Sequence, residues 1–361
     1  MRILFACGGT GGHIYPAIAI ADEIRKLVSD VEILFIGAKG KIEEKIVPEC
    51  GYELKTVEIK GLDRKSIIKN IGLPFKLMRA VRECKKIIRD FSPDAAVGTG
   101  GYASVPAIYA ASKLGIPALI QGGDAFPGRA TKFLARYVKK IVINFEETAA
   151  HLKFKLKLIH IAHPVRSSLN TTSRDEAYKF FDLDENQKTL FVFGGSQGAK
   201  GINDTIAAHF DKLMEMNVNL IWQVGKNDFE DLHDRFGTVS HNVKVYEFIQ
   251  NMGYAYSIAD LVVCRAGISS IMELSSIGVP ALLVPYPYAA ENHQEKNARA
   301  LEREGAAKVI VQSELEEKFF DTIKSILDDH ELLSNMRMNI KQFGDPEAAG
   351  KIANEVLKLA S

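Results

Sequence analysis

The chain has 361 residues, of which 47% are apolar and 25% are charged, and its formal net charge is +1. This composition is typical of a folded protein with two domains, and it excludes a largely disordered chain or one that binds nucleic acid through its overall charge. The four cysteines are far apart and form no CxxC pair, which favours reduced thiols in a cytoplasmic protein over a disulfide framework or a zinc site.

Short apolar runs alternate with helical patterns along the first half of the chain. Glycines separate several of these runs from the helices that follow, and the alternation predicts a parallel sheet covered by helices on both faces. The predicted strands are Arg2 to Cys7, Glu32 to Gly37, Leu54 to Lys60, Ala95 to Gly98, Ala118 to Gln121, Lys140 to Phe145 and Leu158 to Ala162.

The same alternation restarts after Pro164 and predicts a second sheet of the same kind. Its predicted strands are Thr189 to Phe193, Asn219 to Val224, Val243 to Phe248, Leu261 to Cys264, Ala281 to Pro285 and Lys308 to Val311. We place the boundary within His160 to Thr172, which gives domains at residues 1–163 and 164–345. Residues 346–361 form a predicted last helix that packs back on the first domain.

Three glycine-rich loops follow predicted strands: GGTGGH at residues 8–13, GTGGYAS at residues 98–104 and FGGSQGAKG at residues 193–201. In open parallel sheets, ligands bind at the carboxyl ends of strands, where helix N-termini offer unpaired N–H groups. Bare glycines let a phosphate or sugar oxygen reach those donors. Tight turns and close packing are the alternative interpretation of each loop alone, but three loops at equivalent positions favour a ligand.

Two common nucleotide sites do not fit these loops. A dinucleotide site needs a third glycine where this chain has Ile14, and a carboxylate after the second strand, which ends in Ile36, Gly37 and Ala38. A P-loop needs a glycine and a hydroxyl residue where this chain has Ala199 and Gly201. The sequence therefore disfavours a dehydrogenase or an ATPase.

A further pattern lies between Cys264 and Ala298, where a helix carrying Glu273 follows a strand and Glu291-Asn292-His293-Gln294 opens the next helix. A carboxylate near a helix start can accept two hydrogen bonds from a cis-diol such as that of ribose. His293 and Gln294 can meet sugar hydroxyls or a diphosphate. A solvated helix residue is the alternative interpretation of Glu273.

These motifs, together with Pro164-Val165-Arg166, resemble those of the MurG family in the same order and over essentially the whole chain. Members of that family transfer N-acetylglucosamine from its UDP donor to undecaprenyl-diphospho-muramoylpentapeptide, lipid I, and so make lipid II. The resemblance implies an α/β chain with the GT-B fold, in which two doubly wound, Rossmann-like domains face a central cleft. It places the lipid-linked acceptor on the first domain and UDP-N-acetylglucosamine on the second, and it implies no cofactor, no metal ion and no nucleic acid.

The resemblance also assigns roles to individual residues. On the donor side it places the diphosphate on the Ser196 loop with Arg166, the uracil near Ile249, the ribose on Glu273 and the sugar hydroxyls on Gln294 and His293. The remaining donor residues are Thr10, Gly11, Gly12, Gln197 and Gly198. We predict Gly100, Gly101, Tyr102 and Asp124 as acceptor residues and His13 and Asp124 as catalytic residues. The roles of His13 and Asp124 come from their own chemistry, because Asp124 has no counterpart in the family motif.

His13 suits the base that takes the proton from the attacking 4-hydroxyl of the muramoyl residue as UDP leaves. An imidazole near a helix N-terminus is biased toward its neutral form at cytoplasmic pH. Binding of an acceptor phosphate, or capping of the helix, fits His13 equally well.

One stretch departs from the family. Where its members usually carry His-Glu-Gln-Asn, this chain has Gln121, Gly122, Gly123 and Asp124. The new carboxylate can act as a base or orient His13, but it would repel an acceptor diphosphate placed too near. We expect retained donor binding, with the choice of acceptor left open.

The segment Lys60 to Asp90 is strongly basic, with ten Lys or Arg residues against three acids. Gly72 and Pro74 divide it into two predicted helices, and apolar residues crowd their junction. The residues predicted to touch a membrane are Ile71, Phe75 and Met78. A basic rim around apolar residues fits an anionic lipid surface, with a solvated basic helix as the alternative.

No apolar stretch approaches the ~20 residues of a membrane span and no signal peptide is apparent, so we expect peripheral attachment to the inner face of the cell membrane.

Three other functions stay open at this point. An isomerase like the UDP-N-acetylglucosamine 2-epimerases would share the architecture and the donor, but their pattern of carboxylates is not apparent and the basic apolar segment would have no purpose. A related transferase could use another lipid-linked acceptor. A donor-binding subunit without catalysis would need a partner to complete its site, which two complete domains argue against.

Overall fold

The computed structural model describes residues 1–59, 73–165, 169, 173–195 and 198–361. The chain divides into two compact units. Unit 1 comprises Met1–Arg166 with Pro346–Ser361, and unit 2 comprises Ser167–Asp345.

Unit 1 contains a seven-stranded sheet in the order β3-β2-β1-β4-β5-β6-β7, and all its strands are parallel. The strands are β1 (Arg2–Ala6), β2 (Glu32–Ala38), β3 (Glu53–Val57), β4 (Ala95–Gly98), β5 (Ala118–Gly122), β6 (Lys140–Ile143) and β7 (Leu158–His160). The helices before the boundary are α1 (Gly11–Leu27), α2 (Glu43–Glu49), α3 (Leu73–Phe91), α4 (Ser104–Lys113), α5 (Arg129–Leu134) and α6 (Glu147–Ala150).

Unit 2 contains a six-stranded parallel sheet in the order β10-β9-β8-β11-β12-β13. Its strands are β8 (Thr189–Phe193), β9 (Asn219–Gln223), β10 (Val243–Tyr246), β11 (Leu261–Cys264), β12 (Ala281–Leu283) and β13 (Ala307–Val309). Its helices are α7 (Arg174–Phe181), α8 (Lys200–Ala208), α9 (Phe210–Glu215), α10 (Phe229–Phe236), α11 (Met252–Ile258), α12 (Ile268–Ile277), α13 (His293–Arg303), α14 (Leu315–Asp328) and α15 (His330–Lys341). The last helix, α16 (Ala348–Ala360), belongs to unit 1.

The sheet of unit 1 separates two hydrophobic cores. Successive residues of β1 point to opposite faces, so Leu4 packs with the residues of α3, α4 and α5, whereas Phe5 packs with those of α1 and α16. In α16, Ile352 and Val356 are spaced by one helical turn and are fully buried in the second core. Because helices cover both faces, strands such as β1 are apolar along almost their whole length.

Every strand predicted from the sequence is present, and the strand ends differ from the predicted ones by at most three residues. Where a predicted strand is too long, as after β3 and β6, apolar burial continues beyond the last ladder hydrogen bond. Ile59 after β3 and Phe145 after β6, for example, are buried outside their strands. The structure confirms the α/β class with two doubly wound parallel sheets.

Candidate functional site

The loop between β1 and α1 lies beside the loop between β4 and α4, because β1 and β4 are neighbouring strands. A Cβ atom on Gly101 would lie 2.1 Å from the carbonyl oxygen of Gly8, and one on Gly100 would lie 2.6 Å from Nδ1 of His13. Gly100 and Gly101 also have φ angles of +112° and +77°, which favour glycine. Close packing within unit 1 therefore requires glycine at these positions whether or not a ligand is bound.

His13 is half-buried in the first turn of α1. Its Nδ1 atom is 3.2 Å from the carbonyl oxygen of Thr99, and the Thr99 hydroxyl donates to the carbonyl oxygen of His13 at 2.6 Å. A carbonyl oxygen only accepts, so Nδ1 carries the proton in this hydrogen bond. In the neutral ring the lone pair is then on Nε2, which can accept a proton.

Glu43 is a fully buried carboxylate that the sequence analysis missed. It is the first residue of α2, and a helix N-terminus stabilises negative charge. Its two oxygens accept from the backbone N–H of Gly9 at 3.3 and 3.2 Å, and Oε1 also accepts from that of Ala38 at 2.9 Å. A Cβ on Gly8 would lie 2.3 Å from Oε1, so the bare glycine makes room for the carboxylate. Glu43 thereby ties the β1–α1 loop to the end of β2.

Tyr102, a predicted acceptor residue, packs against the same loop. A Cβ on Gly9 would lie 3.1 Å from Cε1 of the Tyr102 ring. Partial burial, with the nearby charge of Glu43, raises the pKa of Tyr102. Its hydroxyl is therefore protonated at neutral pH and can donate a hydrogen bond.

Gln121 and His163 form a buried polar pair at the end of β5. The Gln121 amide donates to Nδ1 of His163 at 2.9 Å, and the backbone N–H of His163 donates to Oδ1 of Asn144 at 2.9 Å. Burial, with the nearby charge of His13, lowers the pKa of His163 to about 3. The His163 ring is therefore neutral at neutral pH.

Asp124 is half-buried and follows β5, where its carbonyl oxygen accepts from the Thr148 hydroxyl at 3.2 Å. The same hydroxyl also lies 3.2 Å from the carbonyl oxygen of Ala125, which fixes this backbone against α6. Because β1, β4 and β5 are consecutive parallel strands, the loops that carry His13, Tyr102 and Asp124 leave the same edge of the sheet. The predicted catalytic and acceptor residues of unit 1 thus share one edge.

In unit 2, the loops after β8 and β11 also leave one edge of a sheet, because these strands pair in parallel. Helices α8 and α12 begin directly after them, with Ala199 and Gly267 as their N-cap residues. A Cβ on Gly195 or Gly267 would meet no atom within 4 Å, so the backbone there faces open space. Two helix N-termini beside accessible backbone form a favourable place for phosphate groups.

Gln223 at the end of β9 is a second buried residue that the sequence analysis missed. Its amide nitrogen donates to the carbonyl oxygen of Gly195 at 3.3 Å, and its Oε1 accepts from the N–H of Ile249 at 2.8 Å. One side chain therefore links the predicted diphosphate loop to the predicted uracil segment. In the same loop, Gly198 has a φ of +76°, and a Cβ on it would lie 2.2 Å from the carbonyl oxygen of Val224.

Glu273 lies on α12 and is half-buried. The Tyr256 hydroxyl of α11 donates to its Oε2 atom at 2.9 Å. The carboxylate is therefore oriented by a second helix and is not a fully solvated side chain. A carboxylate can accept more than one hydrogen bond, as the binding of a diol requires.

The start of α13 differs from the sequence expectation, since the helix begins at His293 and not at Glu291. Glu291 and Asn292 have left-handed φ angles of +54° and +53°, which interrupt the helix before His293. Non-glycine residues in this conformation store strain that is often found near binding sites. Gln294 Oε1 accepts from the N–H of Tyr286 at 2.9 Å, which fixes its side chain in the first turn.

Profiles of one protein family match both units. The glycosyltransferase family 28 N-terminal domain matches residues 3–143, and the family 28 C-terminal domain matches residues 189–352. The chain belongs to glycosyltransferase family 28. Within this family, it is 40% identical over 360 residues to a protein of Flavobacterium psychrophilum, named UDP-N-acetylglucosamine--N-acetylmuramyl-(pentapeptide) pyrophosphoryl-undecaprenol N-acetylglucosamine transferase, with 99% of this chain and 97% of the relative covered.

Solved structures agree on the fold of this family 28 chain. The crystal structure of Acinetobacter baumannii MurG matches with a TM-score of 0.77 and 26% identity, covering 99% of both chains. The UDP-GlcNAc 2-epimerase of Neisseria meningitidis, bound to UDP-GlcNAc, matches with a TM-score of 0.70 and 16% identity, covering 99% of this chain and 100% of that one. The chain therefore has a GT-B-like fold, which a transferase and an epimerase share.

Several predicted site residues lie outside the described residues: Ile71, Arg166, Ser196 and Gln197. The first of the two helices predicted around Gly72 and Pro74 also lies there entirely. Pro74 itself is the second residue of α3, in the first turn, where a missing N–H costs no helix hydrogen bond, so it does not break this helix.

Phe75 and Met78 of α3 are 72% and 49% exposed, whereas Ala80 and Cys84 of the same helix are buried. Phe75 and Met78 thus lie on the outer face of an amphipathic helix. In the described part of the chain, no helix is long and apolar enough to cross a membrane. The same residues include no cluster of three or more His, Cys, Asp or Glu side chains suited to a metal ion.

We expect unit 1 to lose stability as the pH falls from 6.5 toward about 3, because the folded pKa of His163 is lowered from 6.5 to about 3. Between these values the unfolded chain binds more protons than the folded one, so acid favours unfolding. The His163→Asn variant keeps an acceptor for Gln121 but does not titrate. Urea denaturation across this pH range should show a flatter pH dependence for the variant, and parallel curves would contradict the prediction.

The Glu43→Ala substitution should lower the free energy of unfolding by about 2 to 4 kcal/mol, since the buried N–H of Ala38 and the partly buried N–H of Gly9 lose their acceptor. Glu43→Gln keeps one acceptor oxygen and should have a smaller effect. Glu44→Ala is the matched control, because Glu44 is the next residue of the same helix turn and is exposed. Equal effects of Glu43→Ala and Glu44→Ala in urea denaturation would exclude the anchoring role.

Proposed function

We propose that this chain transfers N-acetylglucosamine from UDP-N-acetylglucosamine to undecaprenyl-diphospho-muramoylpentapeptide and so forms lipid II for peptidoglycan synthesis. The observation that carries the proposal is the 40% identity over 99% of the chain to a relative named for this transfer, with both family 28 domains in order. The fold by itself does not decide between this transfer and epimerisation, because an epimerase shares it at 16% identity.

Incubation with UDP-N-acetylglucosamine and a lipid I analogue tests the function directly. A transferase releases UDP in equal amount to a disaccharide product, and only when the acceptor is present. An epimerase would convert the donor without any acceptor, and a donor-binding subunit would leave both substrates unchanged.

For the transfer step we propose His13 as the base. Its Nδ1–H is held by the Thr99 carbonyl oxygen, and Nε2 takes the proton of the attacking 4-hydroxyl while the bond between the sugar and UDP breaks. In this arrangement the backbone carbonyl of Thr99 selects the tautomer of His13. In many hydrolases a second residue orients the catalytic base in a comparable way. Asp124, on the same edge of the sheet, shares the catalytic role, either as a base itself or by orienting His13.

On the donor side, we assign the diphosphate to the loop before α8, with Ser196, Gln197, Gly198 and Arg166. The N-terminus of α8 offsets the charge that develops on UDP as it leaves. Glu273 accepts from the ribose diol, Ile249 lies at the uracil, and Gln294 and His293 bind sugar hydroxyls. We assign Thr10, Gly11 and Gly12 to binding of the donor sugar, and Gly100, Gly101, Tyr102 and Asp124 to binding of the acceptor.

The His13→Ala variant should lower turnover by about 100-fold or more, the usual loss when a general base is removed, with little change in UDP binding. The Asp124→Asn variant restores the amide that the family usually carries and should show a loss of similar size if Asp124 is catalytic. Steady-state kinetics with lipid I and UDP titrations measure both effects. Normal turnover at saturation with weakened UDP binding would reject His13 as the base, and unchanged or faster turnover of Asp124→Asn would show its carboxylate to be incidental.

We further propose that the chain binds peripherally to the cytoplasmic face of the cell membrane through α3. The helix carries six basic residues and two acids, and Phe75 and Met78 project from it beside this charge. An apolar pair within a basic face suits an anionic bilayer, where the lipid-linked acceptor resides.

The Phe75→Asp and Met78→Asp variants should each reduce sedimentation with anionic vesicles several-fold, because a carboxylate opposes both apolar insertion and attraction to the headgroups. UDP binding should survive. Met338→Asp is the matched control, since Met338 is 58% exposed but lies in unit 2. Vesicle binding equal to that of the unmodified protein would remove α3 from the proposed membrane contact.

A further inference from the structure

A second apolar and cationic surface of unit 1 lies in residues 153–157, between α6 and β7. Its sequence, Lys-Phe-Lys-Leu-Lys, alternates three lysines with two large apolar residues. Leu156 is fully exposed, at 104% of its reference area, and Phe154 is 37% exposed. Single exposed leucines are common on protein surfaces. A leucine flanked on both sides by lysines combines an apolar side chain with positive charge, and these two properties favour binding to an anionic membrane interface.

Contacts with the end of α5 hold this segment in a defined position. Lys157 donates to the carbonyl oxygens of Ala135 and Arg136 at 3.1 and 3.2 Å, and its ammonium lies 4.8 Å from the centre of the Phe154 ring. Leu152, just before the segment, is buried in the core under α3, α4 and α5. With both ends fixed in this way, Leu156 projects outward from a single helical turn formed by Lys155–Lys157.

The chain around the segment carries an excess of positive charge. Between Asp124 and Glu146 there are five basic residues and no acidic one, and between Glu147 and Asp175 there is again no acidic residue. The basic residues of the first stretch are Arg129, Lys132, Arg136, Lys139 and Lys140. Of these, Lys140 is paired with Glu355 of α16 at 3.1 Å. The remaining charge complements an anionic surface.

The segment belongs to the same layer of unit 1 as α3. Ala80 of α3, Leu134 of α5 and Leu152 share one core on one face of the sheet, whereas α1 covers the opposite face. The exposed residues of α3 and those of the segment are therefore carried by one continuous helical layer.

We propose that residues 153–157 form a second membrane contact, in which Leu156 and Phe154 enter the headgroup region of an anionic bilayer while Lys153 and Lys155 contact lipid phosphates. The inference rests on the proposed function, because a lipid-linked acceptor brings the protein to a bilayer. Two contacts at separate places on one layer would fix the orientation of unit 1 on the membrane. A single contact at one helix end would leave unit 1 free to rotate about it.

Leu156→Ser tests the contact without adding charge, and Leu27→Ser is its matched control. Leu27 is 52% exposed at the end of α1, on the opposite face of the same sheet. With vesicles of equal parts phosphatidylglycerol and phosphatidylcholine, Leu156→Ser should weaken binding about tenfold, from the lost apolar burial. Leu27→Ser should bind as the unmodified protein does, and both variants should keep UDP binding and urea stability.

A Leu156→Trp variant gives an independent readout of insertion. The natural Trp222 is fully buried in unit 2, so a new signal would come from position 156. Its fluorescence should shift to the blue on anionic vesicles and be quenched by brominated acyl chains. A solvent-exposed spectrum on vesicles that bind the protein would overturn the proposal.

The vesicle experiment separates this inference from the function it rests on. Normal binding of Leu156→Ser together with weakened binding of Phe75→Asp would overturn the second contact and leave the attachment through α3 intact. Equal losses of vesicle binding in Leu156→Ser and Leu27→Ser would also overturn the second contact, because the loss would then not depend on which face of the sheet carries the substitution. Failure of the unmodified protein to bind anionic vesicles would overturn both contacts.

Discussion

The buried carboxylate of Glu43 determines where the loop between β1 and α1 lies. A loop rich in glycine has no side chains with which to anchor itself, yet its backbone N–H groups need acceptors once they leave water. Glu43 supplies the acceptor for the N–H of Gly9 from the first turn of α2, in the space that Gly8 leaves bare. The other side of the loop is fixed where the Thr99 hydroxyl donates to the carbonyl oxygen of His13. The orientation of the imidazole depends on both contacts.

In unit 2, an amide side chain holds the glycine-rich loop in place. Gln223 donates to one loop and accepts from another, which a carboxylate cannot do, and so it connects Gly195 with Ile249 across the end of β9. In both units the glycines allow loops to approach one another closely, and in unit 2 two of them also leave the backbone open. Glycines at the strand ends thus have two separate roles. At some positions they allow close packing of neighbouring loops, and at others they leave the backbone accessible.

The fold also shows what contacts are made by the residues that depart from the family motif at positions 121–124. Gln121 does not point into solvent but pairs with His163, a ring that burial keeps neutral. The amide at this position is therefore part of the interior of unit 1, while Asp124 follows at the edge of the sheet where the β1 and β4 loops also emerge. Within this short stretch, one altered residue supports the fold and another lies among the candidate site residues.

The sequence by itself determined the α/β class, all of the strands to within a few residues, and the family, because apolar periodicity and glycine-rich motifs are local properties of the chain. It also singled out His13 and Glu273, since both stand in motifs in which a helix follows a strand. Only the tertiary structure disclosed Glu43 and Gln223, because a lone glutamate or glutamine carries no pattern until folding buries it beside backbone groups distant in the chain. The tautomer of His13 and the exposure of Leu156 were likewise decided by contacts with Thr99 and with the end of α5, which no local spacing encodes.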